Sequence, residues 1–364
     1  MEDIRSKVRS GGRLTREEGR ELLRSADLLE LGALAQEARF HHNPERVVTF
    51  VIDTNLNYSN VCDAHCAFCA FYRTLGHAEA YTYTPEEVLD KIGRAAAEGV
   101  NTVLLQGGLH PELPLEYYEE LVRLTCQRYP QVMPHFFSAP EVLKMSEVSG
   151  LSVRDVLARL RAAGQRTLPG GGAEILSDRV KRKVSRAYPK SRSEDWLNVH
   201  REAHRLGYRT TATMLYGLLE EDEDIVEHLE VVRSLQDETG GFTAFIPWSY
   251  KRENTALAKK VKEEAGPNRY LRNIALSRLY LDNVAHIQAS WFSEGKKIGQ
   301  IALRFGADVF GGTLLEENVH AAANFINTTK TEECKNLIRE SGFIPVQRTT
   351  LYEILNVEEK SVAA

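Results

Sequence analysis

No stretch of this sequence approaches the roughly 18 consecutive apolar residues of a membrane-spanning helix, and VVTFVI (47–52) is typical of the longest runs. The start, MEDIRSKVRSGG, has no apolar segment of signal-peptide length. A soluble, cytoplasmic protein without a membrane partner is therefore expected. Charge of one sign is also missing: 46 Lys and Arg against 51 Asp and Glu leave a formal net charge of −5, with no basic excess to favour nucleic acid. Tandem repeats and low-complexity tracts are absent, which sets aside solenoid and fibrous classes. Cysteine is scarce, at five residues, and five is odd. Disulfide scaffolds belong to short secreted chains with paired cysteines, so a disulfide framework is excluded.

What is present has two rhythms. The first 46 residues look helical. Thr15 and Glu18 form a capping box, in which hydroxyl and carboxylate each meet a free backbone donor. The apolar spacing of LLRSADLLELGALAQEARF (22–40) predicts two short helices joined near Ser25–Asp27. From Val47 onward, short β-branched or apolar runs alternate with amphipathic stretches. The runs are VVTFVIDTNLNY (47–58), TVLLQ (102–106), MPHFFS (133–138), QRTLP (165–169), RTTATMLYG (209–217), FTAFIPW (242–248), VAHIQASW (284–291) and ADVFGG (307–312). Segments such as TPEEVLDKIGRAAAEG (84–99) and TLLEENVHAAANFI (313–326) have helical spacing.

Eight alternations predict an α/β fold, a (β/α)8 TIM-type barrel over residues 47–355. A helical extension (1–46) precedes it and a tail (356–364) follows. The last two strand runs are short, so a six-stranded partial barrel with a C-terminal extension is the alternative. Of two charge runs, EEDEDIVE (220–227) suits a helix start, and RVKRKVSRAYPKSR (179–192) reads as a solvated face.

Three of the cysteines fall within eight residues, Cys62-Asp-Ala-His-Cys66-Ala-Phe-Cys69, just after the first strand. Three thiolates on one tight loop can ligate three irons of a [4Fe–4S] cube and leave the fourth iron open. S-adenosylmethionine (SAM) can chelate that iron through its amino and carboxylate groups. A zinc site or three unrelated buried cysteines are the competing readings, although structural zinc wants four closed ligands. Cys126 and Cys334 lie in helix-like segments and read as packing residues.

Active-site groups of a barrel gather where strands end. Gln106-Gly107-Gly108 follows the second strand run, Ser138 and Glu141 the third, and Pro169-Gly-Gly-Gly-Ala-Glu174 the fourth. Tight turns are the plain alternative for the glycines. A P-loop is excluded, because its lysine and hydroxyl are missing. Trp248, Asn254, Trp291, Gly311-Gly312-Thr313 and Glu316-Glu317-Asn318 occupy later strand ends. His110 is a candidate proton acceptor, or else a loop histidine bonded to backbone.

The segments NYSNVCDAHCAFCAFYR (57–73), LLQGGLHPELP (104–114), LPGGGAEIL (168–176), TATMLYG (211–217), FIPWSYKRENT (245–255) and GGTLLEENV (311–319) resemble the radical SAM superfamily and, within it, the cyclic dehypoxanthine futalosine synthase family of the futalosine route to menaquinone. The resemblance runs from about residue 47 to residue 355. Aminofutalosine synthase and the halves of the deazaflavin (FO) synthase share the cysteine motif and are the rival readings. An iron–sulfur electron carrier or a zinc-binding module is the non-enzymatic one.

The resemblance implies a [4Fe–4S] cluster on Cys62, Cys66 and Cys69, with Phe68 near the adenine of SAM. It also implies the SAM amino group against Gln106, Gly107 and Gly108, with Ser138, Glu141 and Glu174 as further cofactor-binding candidates. Tyr72, Arg73, His110 and Glu174 are the catalytic candidates, and Arg73 is the one for the carboxylate of the small-molecule substrate, dehypoxanthine futalosine. The implied reaction takes hydrogen from the ribose portion, lets the carbon radical attack the benzoate ring, and loses an electron and a proton. A small flavodoxin or ferredoxin is the expected electron donor.

Overall fold

The apolar run that begins at Val47 forms two strands rather than one. In the computed structural model, which describes residues 2–185, 190 and 192–357, β1 (Val47–Val51) and β2 (Asp53–Leu56) are broken at Ile52. The Ile52 carbonyl turns aside to accept the amides of Asn101 (2.9 Å) and Thr102 (3.3 Å). The other runs give β3 (Thr102–Leu105), β4 (Met133–Phe136), β5 (Thr167–Leu168), β6 (Arg209–Tyr216), β7 (Phe242–Ser249), β8 (His286–Ile287) and β9 (Val309–Gly312). Helices such as Pro85–Ala97, Leu115–Arg128, Ala139–Ser149 and Asp222–Thr239 cover the outside.

The strands close into a ring. Parallel ladders join β2 to β3 to β4, β5 through β8 in order, and β9 to β1. Side chains stitch the seam between β4 and β5: Gln165 Nε2 donates to Phe136 O (2.7 Å) and Thr167 Oγ1 to Pro134 O (3.0 Å). At the β8–β9 seam the Asp308 amide donates to Ile287 O (3.0 Å) and that of Ala289 to Val309 O (2.7 Å). The eight runs read from the sequence are thus the barrel strands, and the partial six-stranded alternative falls because the ring closes.

Two further strands were not legible. β10 (Ile344–Arg348) pairs in parallel with β1, and β11 (Ile354–Val357) folds back antiparallel on β10. Asn101 Nδ2 donates to Arg348 O (3.1 Å), and the hydroxyls of Thr102 and Thr350 bond at 2.8 Å. The base of β10 therefore stands between β1 and β3, within the barrel wall. Its sequence, IPVQR, carries a proline and two polar residues, so no apolar run marks it. β11 runs across position 355; of the tail, residues 358–364 lie outside the described residues.

The N-terminal residues form helices Glu2–Arg9, Arg16–Ser25 and Leu28–His42. The capping box is present: Thr15 Oγ1 accepts from the Glu18 amide (3.3 Å), and Glu18 Oε2 accepts from the Thr15 amide (2.7 Å). Leu28–His42 buries Leu31, Leu34 and Ala35 along helix Pro267–Tyr280. At its end the buried Arg39 donates to the carbonyls of Asn43 (2.7 Å), Glu45 (2.7 Å) and Val47. That fixes the extension to the edge of the barrel where strands begin. Among the described residues no helix is long and apolar enough to cross a membrane.

Near that edge a buried ion pair holds three elements together. Arg278 Nη2 meets Asp308 Oδ1 at 2.6 Å, while Asp308 Oδ2 contacts His286 Nδ1 (2.6 Å) and accepts from Asn43 Nδ2 (2.8 Å). Burial opposes the Asp308 charge, but Arg278 and these hydrogen bonds outweigh it and hold its pKa below the usual carboxylate range. The folded-state pKa is depressed, so this stabilisation is present above the unfolded pKa and is lost as pH falls through the folded one. Asp308→Asn leaves the Arg278 charge buried without a counter-ion and is expected to cost about 3–5 kcal/mol, read as a lower urea midpoint at neutral pH. An unchanged midpoint would sink this account of the pair.

Candidate active site

The cysteine loop leaves β2 and is pinned on several sides before the helix Pro85–Ala97. The Cys62 amide donates to Arg73 O (2.9 Å), the Asp63 amide to Leu109 O (3.2 Å), and the Ala67 amide to Val184 O (2.8 Å). Inside the motif the Cys69 amide donates to Cys66 O (3.1 Å), and His65 adopts a left-handed φ of 49°. His65 packs edge-on against Tyr72 (5.6 Å), so it props the loop from outside. The side chains of Cys62, Cys66 and Cys69 pack around Ala64, Leu109 and Phe68 as one small cluster. Among the described residues, no three His, Cys, Asp or Glu side chains converge tightly enough to hold a single ion. That speaks against a zinc site, which wants four closed ligands.

Burial pushes the Cys62 thiol pKa up and that of Cys69 up to about 11. Ligation must therefore displace protons, and nearby positive charge helps. The basic run 179–192, read as a solvated face, supplies it, though its residues 186–189 and 191 lie outside the described residues. Lys181, 1% exposed, donates to Ala173 O (2.9 Å) and Gly172 O (3.2 Å). Lys190 pairs with Glu174 at 2.5 Å and lies 5.2 Å from the Phe68 ring centroid. Burial lowers the Lys190 pKa, but Cys66 and Glu174 outweigh it and drive the pKa well up. Burial opposes the Glu174 charge too, but the two lysines hold its carboxyl below the ordinary value. Ser185 Oγ lies 3.1 Å from Cys66 Sγ.

Behind the loop, the wall is built by one carboxylate. Glu141 Oε1 accepts from Tyr58 Oη (2.7 Å) and the Gly107 amide (3.0 Å); Oε2 accepts from the Ser138 amide and hydroxyl (both 2.6 Å). Ser138 and Glu141 thus satisfy one another instead of lining open space. Gly108 sits against the cysteine loop so closely that a Cβ would lie 2.0 Å from Val61 O and 2.8 Å from Cys62 Cβ. The triple glycine packs on the backbone of β6 and the start of helix Ala139–Ser149, with Gly172 at φ +87°.

The barrel interior holds a cavity of about 220 Å³. Gln106, Gly170, Gly171, Trp248, Gly312 and Glu317 line it, as strand-end residues should. Phe292 and His320 pack beside Trp248, with ring centroids 6.1 and 5.2 Å away. The other sequence candidates lie elsewhere. Arg73 Nε pairs with Glu79 at 2.6 Å and its Nη1 meets the carbonyls of Ala70 and Tyr72, in a separate polar depression shared with Glu316 and Asn318. His110 Nδ1 accepts from the Glu112 amide (3.1 Å), which is the plain loop reading. Asn254 donates to Ala322 O (2.9 Å), and Trp291 is buried against Phe310.

Sequence reasoning missed Asp53, His135, Arg348 and Tyr352, which all line the cavity. Asp53 left a trace, as a charge inside the apolar run VVTFVIDTNLNY. Its Oδ1 accepts from the Leu314 amide (2.8 Å), and burial pushes its carboxyl up to about 6.

Residues 56–232 match the radical SAM superfamily, and residues 239–361 match the CofH/MqnC C-terminal region. Over its full length the chain is 42% identical to the cyclic dehypoxanthine futalosine synthase of Halalkalibacterium halodurans, covering 97% of that protein. It is 39% identical over 99% of its length to the protein of that name from Streptomyces coelicolor, covering 90% of it. An aminodeoxyfutalosine synthase of Streptomyces coelicolor is also 39% identical, over 98% of this chain and 94% of its own. Two solved structures share the fold. Methylornithine synthase (PylB), 19% identical, has a TM-score of 0.72 over 94% of this chain and 97% of that one. The FeFe-hydrogenase maturase HydG from Carboxydothermus hydrogenoformans, 17% identical, has a TM-score of 0.74 over 96% and 80%.

The close approach at Gly108 gives a test of the loop. Gly108→Ala is expected to push the cysteine loop off its wall and cut iron and sulfide loading to below about half of wild type, because backbone cannot yield as a flexible side chain can. Gly266→Ala, at a position with nothing within 4 Å of an added Cβ, serves as the control. Full loading of Gly108→Ala would mean the loop is not held as described.

Proposed function

The chain belongs to the cyclic dehypoxanthine futalosine synthase family of radical SAM enzymes, and from that premise we propose that it cyclises dehypoxanthine futalosine by oxidative carbon–carbon bond formation in menaquinone biosynthesis. The full-length 42% identity carries this reading, joined to a cysteine loop that packs on Gly108, two residues from the cavity-lining Gln106. A [4Fe–4S] cluster with SAM, when bound, supplies a 5′-deoxyadenosyl radical able to take hydrogen from the ribose portion of the substrate.

The residues divide the remaining work. Cys62, Cys66 and Cys69 would hold three irons, and Lys181 and Lys190 offset the thiolate charge. Gln106, Gly107 and Gly108 present a close backbone wall to SAM, with Phe68 on the adenine side. Glu141 and Ser138 act through that wall as positioning residues. The barrel keeps water from the radical and holds the sugar and aryl ring together, which can lower a barrier by roughly 7–11 kcal/mol. Ring closure must shed a proton, and Asp53 is the proposed acceptor. It lines the cavity, and its pKa of about 6 leaves it mostly ionised at pH 7 yet basic enough to take a proton. A small flavodoxin or ferredoxin is the proposed electron donor.

Anaerobically reconstituted protein, given SAM, reductant and dehypoxanthine futalosine, is expected to yield a product two hydrogens lighter by mass spectrometry. Cys62→Ala should lose the cluster, and Cys126→Ala should behave as wild type. Turnover of the aminodeoxyfutalosine synthase substrate in its place would overturn the assignment. Asp53→Asn is expected to keep SAM cleavage while slowing product formation about 10²-fold. The wild-type pH profile is expected to have an acid limb near 6, with activity rising as pH climbs through that value, and Asp53→Asn to lose it. A wild-type profile in Asp53→Asn would move the proton acceptor elsewhere.

A further inference from the structure

The cavity ends on an arginine. Arg348, 5% exposed, comes from β10, the strand wedged beside β1. Its Nε donates to Thr49 Oγ1 (3.2 Å) and its Nη1 to Thr349 O (2.9 Å). The guanidinium lies 3.8 Å from the Tyr352 ring centroid. The other deeply buried guanidiniums are compensated. Arg278 has Asp308 at 2.6 Å, Arg233 has Glu230 at 2.6 Å, and Arg39 has its three carbonyls. Among the described residues, Arg348 has no carboxylate in ion-pair contact. Asp53 feels its charge, but is engaged with the Leu314 amide and is not paired with it. Among the described residues lining the cavity, Arg348 is the one Lys or Arg.

Its neighbours are also incomplete. Tyr352 holds a left-handed φ of 68°, which a bulky residue adopts only under constraint. Its ring is clamped between Arg348 and His286, the latter stacked at 3.9 Å and 2°. Among the described residues, the Tyr352 hydroxyl is buried without a partner, and so is Nδ1 of His135, itself 9% exposed. Burial pushes His135 down to about 3, so it stays neutral and Arg348 supplies the positive charge of this floor. A buried cation wants an anion, and the planar fork of arginine matches a carboxylate.

Building on the function proposed above, we propose that Arg348, with the Tyr352 hydroxyl and His135, forms an anion seat that takes the aryl carboxylate of the substrate. The substrate then lies with its carboxylate deepest, its ring beside Asp53 and its sugar toward Gln106. This assigns the carboxylate to Arg348, where the sequence had suggested Arg73. Arg348 is a binding and positioning residue, and the radical chemistry happens above it.

Calorimetric titration of the cluster-loaded, full-length protein with dehypoxanthine futalosine and with its carboxamide tests the seat. Wild type is expected to prefer the acid by about 10²-fold, and Arg348→Gln to bind both alike, with melting temperature and cluster absorbance unchanged. Should Arg348→Gln fail to fold, Arg348→Lys decides, with a preference reduced about tenfold, because one ammonium cannot match the fork. Retention of the wild-type preference in either folded variant overturns the proposal. Benzoate and 3-acetylbenzoate separate this from the wider reading. If wild type ignores dehypoxanthine futalosine but binds these probes through Arg348, the seat stands and the substrate assignment falls. If aryl carboxylates bind wild type and Arg348→Gln equally, or bind neither, the seat itself falls.

Discussion

The site hangs on one buried carboxylate. Glu141 gathers the Tyr58 hydroxyl, the Gly107 amide and both the amide and hydroxyl of Ser138, so the ends of three strands meet at its two oxygens. Burial pushes its pKa up, against the pull of these donors. Charge-assisted hydrogen bonds of this kind are short and about twice as strong as neutral ones, and they oppose that push. Because the four donors belong to the segments after β2, β3 and β4, a shift in any strand end is felt by the others. The cysteine loop rests on this joint through Gly108.

Electrostatics follow from the same geometry. The cysteine loop is apolar and poorly solvated, conditions that favour neutral thiols, yet an iron–sulfur cube requires thiolates. Lys181 and Lys190, drawn from the region after β5, bring positive charge toward the loop, and Glu174 from the same region pairs with Lys190. Lys181 spends its hydrogen bonds on the carbonyls that follow the glycine run, so the glycines, the lysines and the cysteines form one connected unit. A buried cation beside a carboxylate and a set of thiolates costs less than any of these charges alone.

The opposite end of the cavity uses a different device. β10 returns from the end of the chain to stand within the wall between β1 and β3, and it brings Arg348 and Tyr352 into the interior. The cavity therefore has a guanidinium in its wall, with Trp248 and Phe292 among its other lining residues.

The sequence alone determined much of this. The spacing of Cys62, Cys66 and Cys69 pointed to the radical SAM superfamily that the comparisons show, because three thiolates on so short a loop can reach the corners of one cube. Periodicity revealed all eight barrel strands and the Thr15 cap, since both are local properties of the chain. Tertiary structure decided the rest. Arg73 and Arg348 are equally arginines in the sequence, but one is spent on Glu79 and backbone carbonyls while the other is buried without a counter-ion among the described residues. Ser138 and Glu141 sit at a strand end as expected, yet their donors and acceptors close on each other. Lys181 and Lys190 looked solvated because charge runs usually are. Which side chain faces a cavity depends on strand order and register across hundreds of residues, and no local pattern encodes that.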